Sequence, residues 1–297
     1  MPSLKDIRKR IGSVKSTQQI TRAMKLVAAA KLKRATDRAL AARPYAEALD
    51  DILKRLAAED ASHPLMEGRD AINTTAVVLV TSDKGLCGSF NGGLVRKTKA
   101  WIGSQTSELQ WHIYGRKGRD FTKREGLPVT REAINRDPTA ALDEARALAA
   151  MMTRAYINHE VDEVILVYNS FVSVMTQRPS FIRLLPISSE GIEDPSKDMA
   201  EEAGAGDAES LLSTSFVFEP DEDEILARLL PLYLETRIYQ VFLESVAGEF
   251  AARMRAMDSA TRNAGDLISS LTLKYNRARQ AAITKELVEI VSGAEAL

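Results

Sequence analysis

Residues 251–271 read Ala251-Ala-Arg-Met-Arg-Ala-Met-Asp-Ser-Ala-Thr-Arg-Asn-Ala-Gly-Asp-Leu-Ile-Ser-Ser-Leu271. Counting outward by alternating threes and fours gives Leu229, Leu232, Thr236, Tyr239, Leu243, Val246, Phe250, Arg253, Met257, Ala260, Ala264, Leu267, Leu271, Lys274, Ala278, Ala281, Lys285 and Val288. Most are apolar or alanine, so the pattern predicts one long helix whose seam keeps a 3.5-residue period, the period of a left-handed supercoil. At ~1.5 Å per residue, a helix of about 70 residues extends on the order of 100 Å. A helix of that length outruns any compact domain, and its apolar seam needs a partner to cover it.

The N-terminal segment is the only other long helical pattern available. Its seam runs Ile7, Ile11, Val14, Gln18, Thr21, Lys25, Ala28, Leu32, Ala35 and Ala39, turning from branched to small residues. Small side chains on both seams (Ala28, Ala35, Ala39; Ala247, Gly248, Ala260, Ala264) allow close helix approach and a narrow shaft. Pro44 is expected to interrupt or kink the first helix, since proline lacks the amide donor and clashes with the preceding turn. Pro231 predicts either a kink in the second or a short separate helix started by Pro220 and its acidic first turn.

Between the helices the pattern changes. Thr75-Ala-Val-Val-Leu-Val-Thr-Ser82 is a continuous apolar run, the mark of a strand buried on both faces, and the glycine-rich turn Asp83-Lys-Gly-Leu-Cys-Gly-Ser-Phe-Asn-Gly-Gly93 follows it. A helix to about residue 102, strands at 109–114, 163–168 and 181–186, and a helix at 140–159 complete a βαβ series, hence a small parallel-type α/β domain. Residues 188–215 carry Glu190, Glu193, Asp194, Asp198, Glu201, Glu202, Asp207 and Glu209 against Lys197, the composition of a solvated acidic loop. The resulting division is an N-terminal coiled-coil helix (1–58), a linker (59–73), a globular foot (74–188), the acidic loop and its connection (189–219), and the C-terminal coiled-coil helix (220–297).

The formal net charge of the 297-residue chain is −1, so any binding of polyanions has to be local. The opening Met-Pro-Ser-Leu-Lys-Asp-Ile-Arg lacks an apolar targeting core, and no run approaches the ~18 apolar residues needed to span a bilayer, so no direct membrane insertion is expected. The glycine turn invites comparison with phosphate cradles, but its spacing is not G-x-G-x-x-G and Lys84 precedes the glycines, which favours a structural turn. His63, His112 and His159 match no metal spacing, and the single Cys87 sits in an apolar context as a packed small residue. No catalytic, cofactor-binding or metal-ligating residue is expected. Residues 1–43 hold twelve basic residues against Asp6 and Asp37, which points to an acidic partner. Nucleic acid is disfavoured, because those 43 residues contain no aromatic side chain to stack on bases.

Ile283-Thr-Lys-Glu-Leu-Val-Glu-Ile-Val-Ser-Gly-Ala-Glu-Ala296 resembles the signature of the gamma-subunit family of F-type ATP synthases. So do Lys5-Asp-Ile-Arg8, Thr17-Gln-Gln-Ile-Thr-Arg-Ala-Met-Lys-Leu-Val-Ala-Ala-Ala-Lys31, Ser82-Asp-Lys-Gly-Leu-Cys-Gly88 and Tyr275-Asn-Arg-Ala-Arg-Gln280, while the acidic insert departs from the pattern. The resemblance implies an antiparallel coiled coil of the two terminal helices with an inserted Rossmann-like α/β domain that holds no nucleotide. It implies a non-catalytic central rotor shaft, coupling a turning membrane c-ring to conformational cycling of the β catalytic sites. The implied partners are three alpha and three beta subunits, the epsilon subunit, the c-ring and an inhibitory subunit, at the cytoplasmic face of a bacterial inner membrane. Carried over by position, Arg253, Arg279, Gln280, Thr284 and Glu286 would meet a β catch loop. Met24 and Lys25 would meet an acidic β lever, and Phe216, Phe218 and Glu219 the c-ring. The rival expectations are a freestanding coiled-coil adaptor and a nucleotide-dependent α/β enzyme.

Overall fold

The computed structural model describes residues 3–57, 63–135, 140–187 and 222–295. Its two longest elements are α1 (Leu4–Ala57) and the last helix, α5 (Glu222–Glu295). Between them come β1 (Thr74–Val80), α2 (Phe90–Ile102), β2 (Glu108–Tyr114), α3 (Arg116–Glu125), β3 (Val129–Ala133), α4 (Ala141–Ile157), β4 (Glu163–Phe171) and β5 (Gln177–Leu185). The chain divides into two compact units, residues 29–252 and residues 1–28 with 253–297, and α1 and α5 contribute to both.

In the unit of residues 29–252 the strands form one sheet in the order β3-β2-β1-β4-β5. The apolar run of β1 is buried along both faces because it lies at the centre, paired in parallel with β2 and β4. On one face Ala76, Val78 and Val80 pack with Leu148, Met152 and Tyr156 of α4, Leu49 and Leu53 of α1, and Leu230, Leu234 and Phe242 of α5. On the other, Val77 and Leu79 pack with Leu94 of α2, Trp111 and Ile113 of β2 and Phe121 of α3. Arg146 of α4 grips Glu235 of α5 through two hydrogen bonds of 3.1 and 3.0 Å.

Two expectations are corrected. The sheet is not wholly parallel: β5 runs antiparallel to β4, joined by a tight hairpin in which Ser173 and Thr176 exchange backbone hydrogen bonds of 3.1 and 3.2 Å. A further helix and strand, α3 and β3, follow β2. Of the alternatives for the two prolines, a kink or a break, the break is excluded: both lie inside their helices. Both are exposed, so the missing amide bond falls on the solvent side, while Ala46 and Leu49, and Leu230 and Tyr233, stay buried around them.

One glycine is required by geometry. Gly115, between β2 and α3, has φ +99°, and a β-carbon there would run into the Thr81 carbonyl.

Candidate functional site

The second unit consists of residues 1–28 and 253–297, a pair of helical segments joined side by side. Lys25 Nζ lies 2.6 Å from Asp258 Oδ1, and the hydroxyls of Thr21 and Thr261 are 2.8 Å apart. The side-chain amide of Gln18 donates to the Thr261 carbonyl at 3.3 Å and lies against Gly265. Going back seven residues from Lys25 to Gln18 on α1 therefore goes forward seven on α5, from Asp258 to Gly265, which makes the pair antiparallel.

The α1 seam falls where the period puts it: Ile7, Thr21, Ala28, Leu32 and Ala35 are buried, and Ile11, Val14, Gln18, Lys25 and Ala39 half-buried. On α5 the expected phase is off by one at every second position beyond Met257. Leu267, Lys274 and Ala281 are exposed, and the covered side chains are Thr261, Ala264, Ile268, Leu271, Tyr275, Ala278 and Ala282, while Lys285 and Val288 are exposed past the start of α1. The true steps from Met257 are four then three. Ala260 is half-buried, which is why a count through it stays plausible.

The middle of this seam is polar. Besides Lys25, Asp258 binds Arg262, four residues on in its own helix, at 3.2 Å. The Lys25 hydrogen bond holds the Asp258 carboxyl below the usual range, with the charges of Lys25 and Arg262 adding to the effect and partial desolvation opposing it. Beside Lys25, Leu26 and Val27 are 65% and 56% exposed and Ile20 is 59% exposed, so α1 carries apolar side chains on a face that α5 does not cover.

At the far end, α1 begins at Leu4, which the same register sets beside Arg279. From about Gln280 onward α5 has no α1 residue alongside it. Ile283, Leu287, Val288, Ile290 and Val291 are accordingly 48–68% exposed. Arg279, Gln280, Thr284 and Glu286 are exposed on this segment, and the Thr284 hydroxyl donates to the Gln280 carbonyl at 3.0 Å. Arg253 does not join them. It is buried and stands roughly 39 Å back along α5 at the helical rise, only five residues from Asp258. Phe216, Phe218 and Glu219 lie outside the described residues.

The glycine turn after β1 is filled by its own side chains. Asn91 donates to Ser82 Oγ at 2.7 Å and to Cys87 Sγ at 3.1 Å, Ser82 N donates to Asn91 Oδ1 at 3.1 Å, and Cys87 packs on Phe90 and Ala252. A β-carbon at Gly85, Gly92 or Gly93 would meet nothing within 4 Å, so no close approach demands those glycines. Among the described residues no three His, Cys, Asp or Glu side chains stand together as metal ligands. His112 is buried in β2, and burial first, then the charge of Arg131 across the strand pair, lower its pKa to about 4.

The ATP synthase family model matches residues 3–297. The ATP synthase gamma chain of Anaeromyxobacter sp. (strain Fw109-5) is 46% identical over 305 aligned residues, covering 100% of both chains. The chain belongs to the ATP synthase gamma-chain family. The gamma chains of Desulforamulus reducens and Chlorobaculum tepidum are each 45% identical, over 100% of this chain and 100% and 99% of theirs.

Chains of solved structures share the architecture. A chain of the Tetrahymena thermophila mitochondrial ATP synthase central stalk and c-ring superposes with a TM-score of 0.56 at 27% identity, covering 81% of this chain and 99% of that one. One from the Euglena gracilis mitochondrial enzyme, in its OSCP/F1/c-ring structure, gives 0.65 at 18% identity over 99% and 94%. As a gamma subunit the chain is a central-stalk, rotor component of the synthase. Among its described residues no helix is long and apolar enough to cross a membrane.

Asp258, Thr261 and Arg262 are the residues that sequence reasoning missed. A charged side chain three residues before a threonine carried no signal until α1 supplied Lys25 and Thr21 opposite them.

Proposed function

We propose that this gamma subunit is the shaft that couples rotation of a membrane c-ring to the catalytic sites of the β subunits, inside a ring of three alpha and three beta subunits. The observation that carries this reading is the uncovered end of α5. Five branched apolar side chains stay exposed past the last α1 residue, and an isolated helix with an apolar face is stable only when something else covers it. A collar of partner subunits is such a cover. In this reading Arg279, Gln280, Thr284 and Glu286 meet a β catch loop at that end through switchable polar contacts. Met24 and Lys25 meet an acidic β lever further down, and Arg253 supports the shaft from within the helix pair near them. Phe216, Phe218 and Glu219 meet the c-ring beside the epsilon subunit. Because the two helices end at different points, each β subunit faces a different side of the shaft in turn, which biases its site among conformational states. Catalysis then belongs to β, with the gamma subunit peripheral at the cytoplasmic face of the inner membrane and open to an inhibitory subunit.

Co-expression with the alpha and beta subunits tests this. One copy of the chain per three alpha and three beta, and stepwise turning of a bead fixed to the foot domain when ATP reaches an immobilised ring, are the expected results. Failure to co-purify, or nucleotide hydrolysis by the isolated chain, overturns the reading.

A further inference from the structure

The ion pair between the helices has a feature that a simple strut does not need: one carboxylate serves two cations. Asp258 Oδ1 takes Lys25 from α1 at 2.6 Å, and Oδ2 takes Arg262 from its own helix at 3.2 Å. The Lys25 and Asp258 side chains are 42% and 35% exposed, so water and a partner can reach the pair. An exposed pair of this kind is weakly held. The Asp258–Arg262 pair runs acid to base over four residues, the favourable order on a helix, and survives without Lys25. Around Lys25, the exposed Ile20, Leu26 and Val27 give an approaching partner an apolar footing.

We propose that Asp258 is the positioning residue for Lys25. It parks the ammonium group between the helices and lets it go to an acidic group on a partner, while Arg262 keeps the carboxylate paired. The exchange rests on the rotor reading, which brings an acidic segment past Lys25 once for each β subunit. Asp258 then sets how tightly shaft and ring hold each other at that station, because it competes with the partner for one ammonium group.

The test uses the assembled complex of this chain with its alpha and beta subunits, carrying Asp258→Asn, Asp258→Glu, Lys25→Gln or the double variant Lys25→Gln/Asp258→Asn. ATP hydrolysis is measured from low to high ionic strength. Asp258→Asn releases Lys25 to the partner, and turnover at low salt should fall by roughly two- to fivefold, the range of one exposed ion pair, and recover as salt screens it. Asp258→Glu should restore the wild-type salt profile, and Lys25→Gln should cancel the effect of Asp258→Asn. Wild-type behaviour of Asp258→Asn, or a loss that persists in the Lys25→Gln background, overturns the proposal, the latter by exposing a purely structural defect. If the wild-type chain fails to assemble with the ring, the rotor reading itself has failed and the exchange falls with it.

Discussion

Thr21 of α1 and Thr261 of α5 share a hydrogen bond of 2.8 Å between hydroxyls, in the polar middle of a seam whose other covered side chains are mostly apolar or small. Each hydroxyl has a single proton: whichever donates across the pair gives up the carbonyl of its own helix, and the other donates to its own, Gln18 O at 3.0 Å for Thr21 or Met257 O at 2.7 Å for Thr261. With Gln18 and the Lys25–Asp258 pair they form a polar layer, and such layers fix helix register at some cost in stability. Replacing either threonine by valine keeps the shape and removes the shared bond, while the remaining hydroxyl keeps the carbonyl of its own helix. Each single variant should lose about 1 kcal/mol, and the double variant no more than that, because the same bond is lost in all three. A double-mutant cycle from denaturant unfolding gives the coupling. Additive losses would show that the two hydroxyls do not depend on each other.

Deleting residues 283–297 separates folding from coupling. The segment has no α1 residue beside it, so unfolding of the remaining chain should change by less than about 0.5 kcal/mol, as for surface changes generally. ATP synthesis and proton pumping by reconstituted synthase should be weakened. Unchanged synthesis and pumping would remove the uncovered helix end as the point of engagement.

Acid should destabilise the foot domain through His112. Its folded-state pKa, about 4, lies below the unfolded value of 6.5, so the unfolded chain takes up the proton first as pH falls. The stability is fully present above pH 6.5, declines below it, and is gone by about pH 4; the difference corresponds to about 3 kcal/mol. His112 Nδ1 has no hydrogen-bond partner among the described residues, so His112→Leu strands no partner of that atom. The variant should match wild type near neutrality and lose the decline between pH 6.5 and 4. Thermal unfolding across that range reads it directly, and an unaltered slope would assign the acid sensitivity to other groups.

Glycine substitutions distinguish a conformational turn from a ligand cradle. Gly115→Ala puts a β-carbon into the Thr81 carbonyl at φ +99° and should cost about 3 kcal/mol or more. Gly92→Ala and Gly93→Ala, in the first turn of α2 with open space around them, should be neutral or stabilise by up to about 1 kcal/mol. Assembly and ATP turnover of the complex should survive both. Loss of turnover in a stably folded Gly92→Ala complex would restore the case for a functional turn.

What the sequence makes legible depends on how much apolar surface an element buries. The run in β1 is unmistakable because the central strand is covered on both faces, and α4 is nearly as clear. By contrast α3, Arg116-Lys-Gly-Arg-Asp-Phe-Thr-Lys-Arg-Glu125, shows one large apolar residue, Phe121, and buries Gly118 and Thr122 beside it, which no hydrophobic period detects. Strand β3 is an edge with almost every side chain exposed, and its charged Arg131 and Glu132 suit an unpaired edge. The α5 seam slipped by one residue for a related reason. Between Met257 and Leu271 alanine, threonine and isoleucine occur on several faces, and only the partner helix selects among them. Arg253 illustrates the same limit at the site. It is carried over by resemblance together with the exposed residues of the α5 end, and a motif position does not tell that the side chain is buried.

The uncovered apolar end of α5 has a consequence for the life of the chain before assembly. A newly made copy carries an adhesive tip that its own fold cannot hide, and two free copies have the same reason to stick as a copy and its proper collar. Synthesis of this chain therefore has to keep step with that of the proteins that capture it. An excess should appear first as self-association through residues 283–291, at concentrations where the foot domain alone stays monomeric.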